Sequence, residues 1–272
     1  MPAVTETVRE LSRTLVERCG LRPEHLRSLT DPEDPRVVGT ALRNVATEAT
    51  DVLLLYYMGH GLVSPGNELY LATQATDDPV TGLTFNALPY QAVRETLSDC
   101  RARSVVVVLD CCFAGRARGA FGTAAAHAFE LASLGGTYVL ASASADEQAL
   151  APVGAQYTAF TGELLSFLRE GDPAGLPDLT FEDAYRHLRR TLPGQGLPEP
   201  HRHLSDRGGE LVLVDNPAAG PTRVPDRAPG MEQEGPEPPC PRPRPGRWGV
   251  CAGRSCPGRC TASPRASGRA GP

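Results

Sequence analysis

Apolar positions along the chain follow two different periods, and each switch between them marks an element. Val4, Val8, Leu11, Leu15 and Val16 recur at the spacing of one helix face, so the chain opens in a helix. Asp34–Ala49 repeats the pattern, with Val37, Val38, Leu42 and Val45 on one side. Asp51–Tyr57 reads as a strand, with the continuous apolar run Val52–Met58 that marks burial on both faces, and it ends in Gly59-His60-Gly61. Glu68–Leu71 fits half of a short hairpin and Asn86–Leu97 a third helix. Ser104–Leu109 is a second buried strand, almost pure valine, and Thr137–Ser142 a third. Tyr157–Glu170 and Phe181–Leu192 read as amphipathic helices, and Glu210–Val214 as a last strand. Helices interleaved with apolar strands predict an α/β domain with a largely parallel sheet. No internal repeat is present. Such domains normally start with a strand, whereas this one starts with a helix. Either the first strand is lost to a misplaced start codon or the fold does without it.

Composition changes sharply after Asn216. Thirteen of the 26 prolines fall in the final 56 residues. Proline removes a backbone donor and glycine adds chain entropy, so this stretch is expected to stay disordered. The chain therefore divides into a folded domain, residues 1–216, and a Pro/Arg/Gly-rich tail, residues 217–272. The net charge of −5 conceals an asymmetry, because the tail holds nine Arg against four Asp or Glu. A basic tail can touch nucleic acid or an acidic partner, but arginines spread among Pro and Gly fit solvated disorder better. No nucleic-acid partner is expected. The longest apolar runs, Val52–Met58 and Val105–Leu109, are far shorter than the roughly 20 residues a membrane helix needs. The amino terminus shows no secretory signal. No membrane partner and a cytoplasmic location are the expectations.

Of the eight cysteines, Cys19 and Cys100 sit in helix-like segments and read as buried apolar thiols. Cys240, Cys251, Cys256 and Cys260 lie in the tail at spacings that do not match the paired gaps of zinc sites, so no metal is expected. Cys111 and Cys112 stand apart because they sit at a strand end, where open parallel sheets collect ligands and catalytic groups. One such end reads Tyr56-Tyr57-Met58-Gly59-His60-Gly61; the other reads Leu109-Asp110-Cys111-Cys112-Phe113-Ala114-Gly115. If the two strands are neighbours, an imidazole and a thiol meet at one sheet edge. Imidazole near a thiol favours the nucleophilic thiolate and can later protonate a leaving amine. Glycines beside the histidine let backbone approach a substrate closely. The bland alternatives are small apolar fillers at 111 and 112 and a satisfied structural histidine at 60. His25, His127, His187, His201 and His203 lie outside the motif and are assigned no chemistry.

An apolar strand ending in Gly-His-Gly, followed by another ending in Asp-x-Cys-x-x-Gly, resembles the caspase and metacaspase clan of cysteine peptidases. The histidine lies 52 residues before Cys112, close to the caspase spacing of about 50. The resemblance runs from about Ala3 to Val214 and takes in Tyr138–Ser142, Ala145–Glu147, Phe160–Thr161 and Leu179–Thr180–Phe181. It implies a caspase-like three-layer sandwich with a mainly parallel sheet, here lacking its first strand. It implies Cys112 as nucleophile, with Cys111 in a slot held by small residues, and His60 as base in a Cys-His dyad. The backbone N–H groups of Gly61 and Cys112 would form the oxyanion hole. Asp110 occupies the place of the metacaspase acid that forms part of a pocket for Arg or Lys, a role suited to guanidinium geometry. Its plain alternative is a strand-end acid capping the next turn. Met58 stands where the family has a small residue, and the missing first strand normally brings another pocket acid.

The expected activity is cysteine-type endopeptidase, cutting after Arg or Lys in protein or peptide substrates. No cofactor is expected. Asp77 and Asp78 read as plain loop acids, with calcium activation, known in some relatives, as the alternative. The loop Phe113–Gly136 carries Arg116 and Arg118, candidate self-cleavage positions. Relatives in bacteria sit beside effector or interaction domains, so proteins of that kind are candidate partners. The competing readings are a catalytically inactive caspase-like scaffold or signalling module, and a doubly wound binding domain. The second lacks a glycine-rich phosphate loop after an early strand.

Overall fold

The computed structural model describes residues 2–64, 66, 68–76, 82–115, 137–142, 154–203 and 207–219, with backbone alone at 2, 112–115 and 207. The tail beyond 219, Asp77, Asp78, Arg116, Arg118 and His127 lie outside the described residues. Helix α1 (Pro2–Glu17) and helix α2 (Pro35–Glu48) precede strand β1 (Val52–Val63). Strand β2 (Leu69–Ala72), a single helical turn α3 (Leu83–Asn86), strand β3 (Ala87–Pro89), helix α4 (Tyr90–Ser98) and strand β4 (Ser104–Gly115) follow. The described chain continues with β5 (Thr137–Ala141), α5 (Ala159–Glu170), β6 (Asp178–Thr180), α6 (Phe181–Thr191), β7 (His201–His203) and β8 (Val212–Asp215).

Six strands form one sheet in the order β3-β2-β1-β4-β5-β7. β1, β4 and β5 are parallel neighbours; β2 runs against β1, β3 against β2 and β7 against β5. Four of the six strands therefore share one direction. Helices cover both faces, giving the expected α/β sandwich. No strand precedes β1 among the described residues.

Strand alternation splits the core in two. Val106 and Val108 of β4 join a cluster with Leu11 and Leu15 of α1, Phe160 and Leu164 of α5 and Leu188 of α6. Val105, Val107, Leu109 and Cys111 point the other way, into a cluster with Leu42 of α2 and Tyr90, Val93 and Leu97 of α4. A strand covered on both faces has no use for polar alternation, which is why β4 reads as continuous valine.

Several boundaries differ from the sequence expectation. Asn86–Leu97 is not one helix: Pro89 forces the residue before it into extended backbone, so 87–89 pair with β2 and the helix starts at Tyr90. β1 and β4 run on past the expected ends, to Val63 and Gly115. The last strand spans Val212–Asp215 and pairs with β6 in a separate two-stranded sheet, so it does not edge the main sheet. β7, a short polar strand, holds that edge instead.

Asn216, 6% exposed, ties the chain together just beyond β8. Its side chain accepts from the Asp172 and Ala218 N–H groups and donates to the Asp172 and Leu176 carbonyls. Gly171 beside it has φ of 78°, and an added Cβ would collide with Asn216 Oδ1.

Candidate active site

β1 and β4 lie side by side in parallel register, and that register sets His60 opposite Cys112 and Met58 opposite Asp110. The sequence required only that the two strand ends be neighbours; the ladder makes the two residues direct partners. Positions 58, 60, 110 and 112 fall on one face of the sheet by strand alternation. His60 is half-buried. Cys111, on the opposite face, is fully buried in the α2/α4 cluster. It is thus a core residue.

The pairing continues through Gly61↔Phe113 to Val63↔Gly115, while Gly61 also faces Leu71 of β2. β2 pairs with this same extension of β1, its antiparallel ladder running over Gly61–Val63.

Asp110 is completely buried. Its Oδ2 accepts two short hydrogen bonds, from Thr158 Oγ1 at 2.6 Å and Thr161 Oγ1 at 2.5 Å. These residues belong to the start of α5, with Thr158 at its N-cap. Instead of capping its own helix, the Thr158 hydroxyl serves the carboxylate. A threonine hydroxyl has one proton. With the Thr161 proton given to Asp110, the Tyr56 hydroxyl 2.6 Å away donates to Thr161 Oγ1. The Thr158 N–H in turn donates to Thr7 Oγ1 of α1 at 2.9 Å. Asp110 Oδ1, by contrast, is buried with no hydrogen-bond partner among the described residues. Burial pushes the Asp110 carboxyl up to about 6, against the opposing pull of the two hydroxyls and the Thr161 N–H. Burial, followed by the nearby Asp110 charge, also raises Tyr56 well above the usual tyrosine range.

Among the described residues the Asp110 carboxylate bonds across the fold to the start of α5, and no bond from it to the segment that follows it is among them. Thr158, Thr161 and Tyr56 were not picked out for chemistry in the sequence. Their signal is faint, since the partners are 48 to 105 residues apart.

The two thiols expected to be buried in helices both lie just past a helix end, Cys19 after α1 and Cys100 after α4, and only Cys19 is buried while Cys100 is half-buried. Cys19 is buried, and burial lifts its thiol to about 12, far from reactive. Cys100 accepts the Ala102 N–H at 3.4 Å. His187, assigned no chemistry, bonds Glu163 at 2.8 Å and lies against Phe167, tying α6 to α5. No group of three or more His, Cys, Asp or Glu suited to a metal occurs among the described residues. Among them no helix is long and apolar enough to cross a membrane.

The fold is thus an α/β sandwich with a histidine and a cysteine paired in register on adjoining parallel strands. The family model of the caspase domain matches residues 5–207, and the chain belongs to that family. Its membership supports a cysteine-peptidase type of function. No curated protein matches the chain.

Proposed function

We propose that the protein is a cysteine endopeptidase working through Cys112 and His60, and that it cleaves after Arg or Lys. The observation carrying this reading is the register pairing of His60 with Cys112 within a caspase domain. In this mechanism the Cys112 thiolate adds to the scissile carbonyl carbon. The former carbonyl oxygen takes the negative charge and is held by the N–H groups of Gly61 and Cys112. His60 gives a proton to the leaving amine, and water then releases the acyl group from sulfur. The buried Asp110 oxygen that has no partner among the described residues supports the specificity. A guanidinium or ammonium supplied by substrate would satisfy it, and a charge-assisted pair in a dry site is strong. Protein or peptide substrates are the partners, and effector or interaction-domain proteins are candidate neighbours. A thiol nucleophile suits a reducing cytoplasmic setting. No resident cofactor is required, with calcium kept as an activator to be tested.

The test is hydrolysis of fluorogenic peptides ending in Arg, Lys or Asp, with and without calcium. Cleavage after Arg or Lys is expected. Preference for Asp would overturn the pocket reading, and no cleavage at all would overturn the peptidase reading. A second reading, an inactive caspase-like scaffold, draws on the β1–β4 ladder continuing beyond the pair to Val63↔Gly115. Selective alkylation of Cys112 by iodoacetamide at neutral pH would count against it.

A further inference from the structure

The two oxygens of the Asp110 carboxylate stand in different surroundings. Oδ2 accepts from Thr158 Oγ1 at 2.6 Å and from Thr161 Oγ1 at 2.5 Å. A carboxylate oxygen has about two lone-pair sites, so these hydroxyls fill Oδ2. Oδ1 is buried with no hydrogen-bond partner among the described residues.

Both hydroxyls are held in place. An ionised carboxylate can only accept, so each threonine gives its one proton to Asp110. Tyr56 then donates to Thr161 Oγ1 at 2.6 Å, which keeps that proton turned toward the carboxylate. The Thr158 N–H is bonded to Thr7 Oγ1 at 2.9 Å, and the Thr7 hydroxyl donates to the Ala3 carbonyl at 2.6 Å. Thr7, Thr158 and Thr161 have no exposed surface. Releasing Oδ2 would therefore break bonds inside the core, a costly change.

This asymmetry bears on which cation fits. A guanidinium reaches its strongest pairing by donating two parallel N–H groups to both oxygens of a carboxylate. Here only Oδ1 is open, so one prong is left over in a buried place. Across the ladder from Asp110 stands Met58, whose thioether is a weak acceptor. An ammonium is a compact charge with three donors that rotate on one stem, and a single oxygen is enough for it.

We propose that Thr158 and Thr161 are positioning residues that make the Asp110 pocket prefer Lys to Arg, by occupying Oδ2 and leaving Oδ1 for the substrate cation. This rests on the peptidase reading and on its cation pocket.

The experiment measures kcat/KM on paired fluorogenic peptides that are identical except for Lys or Arg before the cut bond. Wild type is compared with Thr158→Val, Thr161→Val, Thr158→Ser and Thr161→Ser. Wild type is expected to favour Lys by about 10-fold, the scale of one buried N–H left unpaired. Each Val variant removes one hydroxyl from Oδ2 and should move the ratio toward Arg by about threefold or more. The Ser variants keep the hydroxyl and should keep the wild-type ratio. Wild type that cleaves after Arg as fast as after Lys, or faster, would overturn the inference and leave the peptidase reading standing. Val variants that lose both substrates equally would also overturn it, since purely structural threonines give that result. If a Val variant does not fold, the wild-type ratio decides alone. No cleavage after either residue would overturn the peptidase reading and this inference with it.

Discussion

Asp110 has no exposed surface, two threonine hydroxyls on one oxygen and no partner among the described residues on the other. Its carboxyl is raised from 3.8 to about 6 in the folded chain. Between those values the native state holds a proton that the unfolded chain releases, so stability falls as pH rises. The contribution is fully present below about pH 4 and gone above about pH 6, a swing on the order of 3 kcal/mol. Asp110→Asn can still accept from both threonines and carries no charge to bury. Its melting temperature should therefore gain on wild type as pH rises from 4 to 7, and a constant difference would contradict the shift. Activity should move the opposite way. Cleavage after Arg should rise through about pH 6 as the carboxylate ionises, and Asp110→Asn should cost roughly 2–5 kcal/mol of transition-state binding on Arg substrates. Stability and function pulling against each other is the pattern expected of a site residue rather than a core residue.

At the scale of elements, β4 and β5 both send buried side chains into the two core clusters, and β4 contributes the most. Leu109→Ala, at a position with no exposure, should cost about 2–5 kcal/mol, measured by denaturant unfolding. On the other face of the sheet, α5 and α6 are joined by Glu163, which bonds both His187 and Gln195. Partial burial raises the Glu163 carboxyl, but the bonds from Gln195, His187 and Thr191 outweigh it, and the net direction is down. A lowered carboxyl contributes stability above its unfolded value of 4.5, lost as pH falls through the lower folded value. Glu163→Gln should therefore destabilise near neutral pH, and its effect should fade in acid. The apolar strands and amphipathic helices were legible because their burial imposes a period. β7 was not, because three polar residues at an edge carry none. The Asn86–Leu97 helix was misread although Pro89 stood in the sequence as a marker. The Tyr56–Thr161–Asp110–Thr158 network was invisible for a different reason: it depends on which helix start lies over which strand end, and no local pattern encodes that.

For the whole molecule, the last described stretch is anchored by Asn216, whose amide holds the 171–177 turn. Truncation after Ala219 should leave the melting temperature within a few degrees, since a Pro/Arg/Gly-rich sequence without an apolar period is expected to add little stability. Asn216→Ala should lower it clearly, because it removes four side-chain hydrogen bonds at once from a side chain that is itself buried. A large drop on truncation would mean that the tail packs on the domain. The register of β1 on β4 is what turns a shared α/β architecture into a candidate peptidase, and its two partners decide the account. The most direct measurement is kcat/KM on the preferred peptide for Cys112→Ala, His60→Ala and Cys111→Ala. The first two should fall by several orders of magnitude, as when either member of a nucleophile–base pair is removed, and Cys111→Ala should retain most activity. Full activity in Cys112→Ala would contradict the account.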